Sequence, residues 1–160
     1  MTGAKRAIFL DRDGVINKKM PPHDYVKSWE EFEFLPGIEE LIKNFNRQGY
    51  LVVVVTNQRG IARGLVSEEI VKGIHRQMIG ELRKKGAIID AVYYCPHNLE
   101  DDCDCRKPKP GMILRAAKEL NIDLKESILI GDSESDLKAG KAVGCQAILF
   151  SKYPIKTGNE

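Results

Sequence analysis

The sequence predicts a doubly wound α/β domain, a Rossmann-like parallel sheet with helices on both faces. Two observations point there. Short aliphatic runs at 7–10, 51–55, 127–130 and 146–150 alternate with segments whose apolar residues recur at helical spacing. The run at 51–55 is continuously apolar and largely β-branched, the composition of a central strand covered on both sides. Such alternation implies right-handed crossovers and hence parallel strands. No repeat, low-complexity tract or linker divides the chain, and 160 residues suit one domain over 1–160.

Taken in order, residues 7–10 end in charge and read as a buried first strand. Pro36 and Gly37 open a helix with Ile38, Leu41, Ile42 and Phe45 on one face, and Gly49 closes it. After the strand at 51–55, Ser67 caps a second helix whose first turn carries Glu68 and Glu69. Ile70, Ile74, Met78 and Leu82 form its expected apolar stripe, with Gly86 as the stop. A third strand is expected at 88–94, a third helix at 111–120 and a fourth strand at 127–130. A helix at 135–143 and a last strand at 146–150 complete the pattern. Trp29 and Phe32 are expected to pack the segment leading to Pro36.

Twenty-five basic against 23 acidic residues leave a net charge of +2, which gives no support to general nucleic-acid binding. The longest aliphatic run is far too short to cross a bilayer. A basic start is followed almost at once by Asp11, Arg12 and Asp13, with no apolar stretch for a secretion signal. A cytoplasmic enzyme or binding domain is expected. No amphipathic element is left over, so a monomer is expected too.

The unusual residues fall at strand ends. Asp11 and Asp13 follow the first strand, Thr56, Asn57 and Gln58 the second, Cys95 and His97 the third, and Asp132 the fourth. In a parallel sheet those ends share the edge where ligands bind. Asp11 and Asp13 before Gly14 can diverge into one cavity, one as nucleophile or metal ligand and the other as general acid/base. The bland alternative is a turn Asp and a helix-capping Asp. With Asp132 nearby, the crowded carboxylates call for a cation, and hard oxygen ligands without imidazole point to Mg²⁺. The Thr56 hydroxyl can hold phosphate oxygens, as can the run 106–111, which leads into a helix N-terminus. Two prolines fix the backbone around Lys109.

Together, Phe9-Leu10-Asp11-Arg12-Asp13-Gly14-Val15-Ile16, Thr56-Asn57-Gln58, Lys107-Pro108-Lys109-Pro110 and Gly131-Asp132 with Asp136 resemble the four ordered motifs of haloacid dehalogenase-superfamily phosphatases. The resemblance covers roughly residues 7–150. It implies a hydrolase in which Asp11 attacks phosphorus to give an aspartyl-phosphate. Asp13 would protonate the leaving oxygen and then activate water. Thr56 and Lys107 would hold the phosphoryl group. Mg²⁺ would sit on Asp11, the Asp13 carbonyl and Asp132, while Asp136 braces this loop or Lys107. An anionic carboxylate attacking a phosphate dianion needs such positive charge.

Cys95, His97, Cys103 and Cys105 offer three thiolates and an imidazole within eleven residues, a plausible closed and structural Zn²⁺ site. A Cys103–Cys105 disulfide, strained and disfavoured in a cytosol, and unligated thiols are the alternatives. Asp101, Asp102 and Asp104 read as that loop's solvated face, and Cys145 as an inert buried residue. His23 and His75 gain no role.

The cysteine loop and its neighbours resemble the subgroup holding heptose-bisphosphate and histidinol-phosphate phosphatases. The stretches 56–64, 93–97, 105–112 and 32–37 are closer to the heptose enzymes. Two departures stand out. The interval from His97 to Cys103 is short, as in histidinol enzymes. The substrate loop reads His23-Asp24-Tyr25-Val26 where heptose enzymes have Gly before Tyr-Val, and glycine reaches positive φ freely. No insertion large enough for a cap domain is visible. The expected substrate is a small sugar bisphosphate, met by Asp24, Tyr25, Thr56, Asn57, Gln58, Arg59, Arg106 and Lys107. Arg106, with Arg59 or Arg63, would face charge away from the cleaved phosphate, though solvent exposure is the alternative for Arg59 and Arg63. Competing classes are a non-catalytic phosphate-binding module and a DNA-end 3′-phosphatase. The intact Asp11/Asp13 pair opposes the first, and the weak charge without a basic stripe opposes the second.

Overall fold

Strand β1 (Ala7–Leu10) lies at the centre of a five-stranded sheet ordered β3-β2-β1-β4-β5, with every neighbouring pair parallel. The structure, a computed structural model, describes residues 3–152. The remaining strands are β2 (Leu51–Asn57), β3 (Ala91–Cys95), β4 (Ile128–Gly131) and β5 (Gln146–Leu149). Helices α1 (Ile38–Arg47), α2 (Glu68–Lys84), α3 (Gly111–Leu120) and α4 (Glu134–Ala142) connect them. The expected doubly wound parallel sheet is what forms. The tail from residue 153 lies outside the described residues.

Alternation along β1 builds the two layers, because successive side chains point to opposite faces. Ile8 and Leu10, with Val52, Val54 and Ile130, pack against Ile38, Leu41 and Ile42 of α1 and Ile74, Met78 and Leu82 of α2. Ala7 and Phe9, with Val53, Val55 and Leu129, pack against Met112, Ile113 and Ala116 of α3 and Ala139 of α4. Trp29 stacks on Phe32 with centroids 4.9 Å apart, closing the first layer below the entrance to α1. The strand order reverses between β1 and β4, the switch point where open α/β sheets hold ligands. At the opposite edge the helices give way to left-handed residues at Gly49, Gly86, Asn121 and Gly144.

Several boundaries differ from expectation for local reasons. β2 runs on to Asn57, so Thr56 and Asn57 belong to the strand rather than following it. Likewise Cys95 closes β3. The start of β3 moves from 88 to Ala91 because the Asn46 side chain takes both backbone groups of Ile88. Its amide donates to the Ile88 carbonyl at 3.0 Å and its oxygen accepts the Ile88 N–H at 2.9 Å. Ser127 stays out of β4, its hydroxyl accepting from the Ala7 N–H and donating to the Asp123 carbonyl. α4 begins at Glu134 because Ser133 and Asp136 form a capping box. β5 ends at Leu149, and Phe150 enters a 3₁₀ turn.

The expected stripe of α2 is also corrected at one position. Ile70 is 46% exposed, whereas Val71 is fully buried beside Ile74, His75, Met78 and Leu82. Ser67 accepts from the Ile70 N–H, which sets the helix phase so that Ile70 faces outward. Val71→Ala should therefore destabilise the protein by about 1–3 kcal/mol, while Ile70→Ala stays within about 0.5 kcal/mol. Urea titration of both variants checks this, and equal effects would contradict the assigned helix face.

Candidate active site

A cavity of about 600 Å³ opens at the carboxyl edge of the sheet. Asp11, Asp13, Asp24, Tyr25, Asn57, Arg59, Arg106, Lys107 and Asp132 all border it. Residues from four strand ends are thus brought together, as the parallel topology requires.

The Lys107 ammonium is buried among oxygens. It donates to Asp11 Oδ1 at 3.0 Å and to the Val55 carbonyl at 2.9 Å, and it pairs with Asp136 Oδ1. Asn57 holds the lysine's backbone from β2, accepting the Lys107 N–H at 3.0 Å and donating back to its carbonyl. Burial lowers the lysine's proton affinity, but the flanking Asp11 and Asp136 outweigh it and raise its pKa. Burial pushes Asp136 up, yet Lys107 and the N–H and O–H donors around it hold its carboxyl below the usual value. Those donors are the Asp132 N–H, the Ser133 N–H and the Ser133 hydroxyl.

Asp11 behaves differently. Burial raises its carboxyl well above the ordinary range against the pull of Lys107, and the neighbouring Asp136, Asp132 and Asp13 push the same way. More negative charge meets here than one lysine neutralises. Asp11, Asp132 and Asp136 each place an oxygen within 4.8 Å of the others. Gly14, at φ +94, lets the chain approach this group, since a Cβ there would fall 2.2 Å from Asp132 Oδ2. Both Asp136 oxygens are taken, Oδ1 by Lys107 and Oδ2 by the Asp132 and Ser133 donors, so Asp11 and Asp132 remain as hard oxygen donors, a set that fits Mg²⁺. Lys19, in the segment after β1, meets Asp132 Oδ2 at 3.2 Å.

Asp13 stands on a separate support. Its Oδ1 accepts from Arg12 Nε at 3.1 Å, Arg12 Nη2 at 2.7 Å and Asn17 Nδ2 at 2.9 Å. Its Oδ2 accepts from Gln58 Nε2 at 3.0 Å. Burial would raise this carboxyl, but Arg12 and the N–H bonds from Asn17, Arg12 and Gln58 prevail and lower it. Thr56 and Gln58 do not border the cavity. Thr56 is fully buried, and its hydroxyl accepts from Gln58 Nε2 at 3.0 Å.

The loop at 23–26 departs from expectation in one detail. The left-handed residue is His23, at φ 67, and not Asp24. Asp24 accepts from the Tyr25 N–H and from Lys27, so its charge is met locally, and both hydrogen bonds lower its carboxyl's pKa. Arg63 lies over the Tyr25 ring outside the cavity lining, whereas Arg59 and Arg106 border it. Arg106 Nη1 is buried with no partner among the described residues, a donor left for an anion.

The four cysteine-loop residues converge. Cys95 Sγ lies 3.6 Å from Cys103 Sγ and 2.8 Å from Cys105 Sγ, and His97 Nδ1 lies 3.2 Å from Cys105 Sγ. No disulfide joins these cysteines. Three sulfurs and one ring nitrogen so placed fit a tetrahedral Zn²⁺. The acidic residues of this loop do more than face water. Asp101 accepts the Asn98 N–H at 2.7 Å, and Asp102 pairs with Lys109 at 3.0 Å. Cys145 is buried, which pushes its thiol up to about 11.

A protein-family model for haloacid dehalogenase-like hydrolases matches residues 6–144. The chain belongs to that hydrolase family. The D-glycero-beta-D-manno-heptose-1,7-bisphosphate 7-phosphatase of Pasteurella multocida is 48% identical over 160 positions, covering 96% of this chain and 83% of that protein. The enzyme of the same name from Helicobacter pylori is 42% identical, covering 98% of this chain and 90% of its own. The crystal structure of a D,D-heptose 1,7-bisphosphate phosphatase from B. bronchiseptica, complexed with magnesium and phosphate, superposes with a TM-score of 0.84. It is 40% identical and covers 90% of this chain and 79% of that one.

Within this haloacid dehalogenase-like hydrolase, sequence reasoning missed Arg12, Asn17, Lys19 and His75. Burial pushes His75 down to about 3, with Arg12 adding to the effect and Asp13 opposing it, so the ring is neutral. The one available signal was a charged residue, Arg12, locked between two motif aspartates. Asp136→Asn should cost about 3–5 kcal/mol at pH 7, because it leaves Lys107 buried with one partner fewer. Since the folded Asp136 carboxyl lies below its unfolded value of about 3.9, its contribution is complete above that pH and lost in acid. Urea unfolding at pH 7 and pH 3 should show the two proteins converging, and a constant gap would refute this account.

Proposed function

We propose that this chain is a Mg²⁺-dependent phosphomonoesterase that removes the 7-phosphate of D-glycero-D-manno-heptose 1,7-bisphosphate. The observation that carries the reading is the single cavity wall formed by Asp11, Lys107, Asp132 and the independently supported Asp13. Relatives named for that reaction, 44–48% identical and covered over 83–85% of their own length, support the substrate. The enzyme would work as one domain in the cytoplasm, where thiols stay available for zinc.

In this reading an Asp11 oxygen bonds to phosphorus as the ester P–O bond breaks, giving an aspartyl-phosphate. Lys107 holds the Asp11 oxygen in place and offsets phosphoryl charge. Asp13 gives its proton to the departing sugar oxygen. Arrival of a phosphate dianion, a like charge, raises the proton affinity of that otherwise low carboxyl. Asp13 then takes a proton from water, whose oxygen attacks phosphorus and frees Asp11. Asp11, Asp132 and the Asp13 carbonyl would hold Mg²⁺, which would supply Lewis-acid neutralisation of the phosphoryl charge.

Thr56 and Gln58 act from behind, through the hydrogen bond that Gln58 gives Asp13, and Asn57 through its grip on Lys107. Asp24 and Tyr25 border the space for the sugar. Arg106, with its unpartnered Nη1, and Arg59 would meet the second phosphate. Zn²⁺ on Cys95, His97, Cys103 and Cys105 would be structural, pinning the loop that delivers Arg106 and Lys107. The same loop presents Asn98, whose Oδ1 accepts from Arg59 Nε at 2.5 Å.

The deciding measurement is Mg²⁺-dependent kcat/KM on both anomers of the heptose bisphosphate against histidinol phosphate and 3′-phosphorylated oligonucleotides. A preference of about a hundredfold, or about 2.7 kcal/mol, for the bisphosphate is expected, with Asp11→Asn inactive. Equal or reversed preference would overturn the substrate assignment, and no turnover on any substrate would overturn the enzyme itself. Cys105→Ser should lower Tm and raise KM for the bisphosphate more than for p-nitrophenyl phosphate, which lacks the second phosphate. Steady-state kinetics and a thermal melt check it.

A further inference from the structure

Arg12 is the largest fully buried side chain among the described residues and does not border the cavity that its two neighbours line. Guanidinium carries five N–H donors and stays charged at any relevant pH, so complete burial demands acceptors. Two of its nitrogens bond Asp13 Oδ1. A third, Nη1, lies 3.1 Å from His75 Nε2 on α2, 63 residues away in sequence. Because arginine can only donate, Nε2 must present its lone pair and the ring proton must sit on Nδ1. The Phe32 ring lies 5.7 Å from the guanidinium carbon, and the Arg12 carbonyl accepts from Val15, Ile16 and Asn17. The side chain is held at both ends.

This arrangement distinguishes the two oxygens of Asp13. Oδ1 is filled by three N–H donors and has no room for a proton. Oδ2 accepts a single bond, from Gln58. A proton carried by Asp13 therefore resides on Oδ2, and the orientation of the Arg12 fork decides where that oxygen points. Without an acceptor at Nη1, a buried donor is orphaned and the fork is free to turn.

We propose that His75 is a positioning residue for phosphoryl transfer, fixing the Arg12 guanidinium so that Asp13 delivers its proton from Oδ2. The inference rests on the acid/base role given to Asp13 above. The proton passes from Oδ2 to the departing alcohol oxygen as its bond to phosphorus breaks. A leaving alkoxide needs that proton, whereas p-nitrophenolate leaves without it.

The test compares leaving-group release in the first turnover, by quenched flow, for a sugar phosphate and p-nitrophenyl phosphate. His75→Leu should slow the sugar reaction at least about tenfold more than the aryl one, with KM changed less than about twofold. His75→Gln, whose amide oxygen can replace Nε2 as acceptor, should recover most of the loss. Arg12→Lys keeps the charge without the fork and should reproduce the selective defect, so the outcome is readable if His75→Leu does not fold. Equal loss on both substrates, no loss, or no recovery by His75→Gln would overturn the proposal. Asp13→Asn in parallel separates the two ideas. A selective loss there without one in His75→Leu defeats only the role of His75, and a uniform loss in Asp13→Asn defeats the acid reading and this proposal with it.

Discussion

The Lys107 ammonium lies between Asp11 and Asp136 with almost no access to water, and much of the surrounding structure serves to keep it there. Desolvating a charge costs several kcal/mol, so such a group persists only where good geometry offsets the loss. The end of β2 supplies the Val55 carbonyl and the Asn57 clamp, and the start of α4 supplies Asp136, itself fixed by Ser133. Strand, loop and helix are tied to one cation. The switch point of the sheet is where these three elements meet, which is why the chemistry collects there.

Around this pivot the carboxylates divide their work through their neighbours. Asp136 is satisfied by lysine and hydroxyl, and Asp13 by arginine and two amides. Asp11 and Asp132 are left with the excess negative charge that a hard cation answers. Four aspartates within one short reach thus acquire distinct electrostatic characters from identical side chains. The residues that create the difference are mostly not acidic themselves.

Sequence alone revealed the parts whose signals are local. The helical spacing of α1, the β-branched run in β2 and the aspartates at strand ends needed no tertiary knowledge, and the cysteine loop announced its own clustering. What stayed hidden depends on partners far along the chain. Ile88 looked like a strand residue until Asn46, 42 positions earlier, took its backbone groups. That Val71 rather than Ile70 faces the core was hidden because neighbouring apolar residues fit a helical period almost equally well. His75 read as an ordinary packed ring, since nothing near it in sequence marks the arginine it meets. Lys19 follows another lysine and has no pattern to set it apart.

The polarity of the sheet has a practical side. Because the reactive groups gather where strands finish, the turns through Gly49, Gly86, Asn121 and Gly144 lie at the far edge, remote from the cavity. Those turns are natural handles for tethering a dye, a surface or a second protein. An immobilised molecule held by any of them would keep its mouth open to solution, and the four offer alternative orientations from one scaffold.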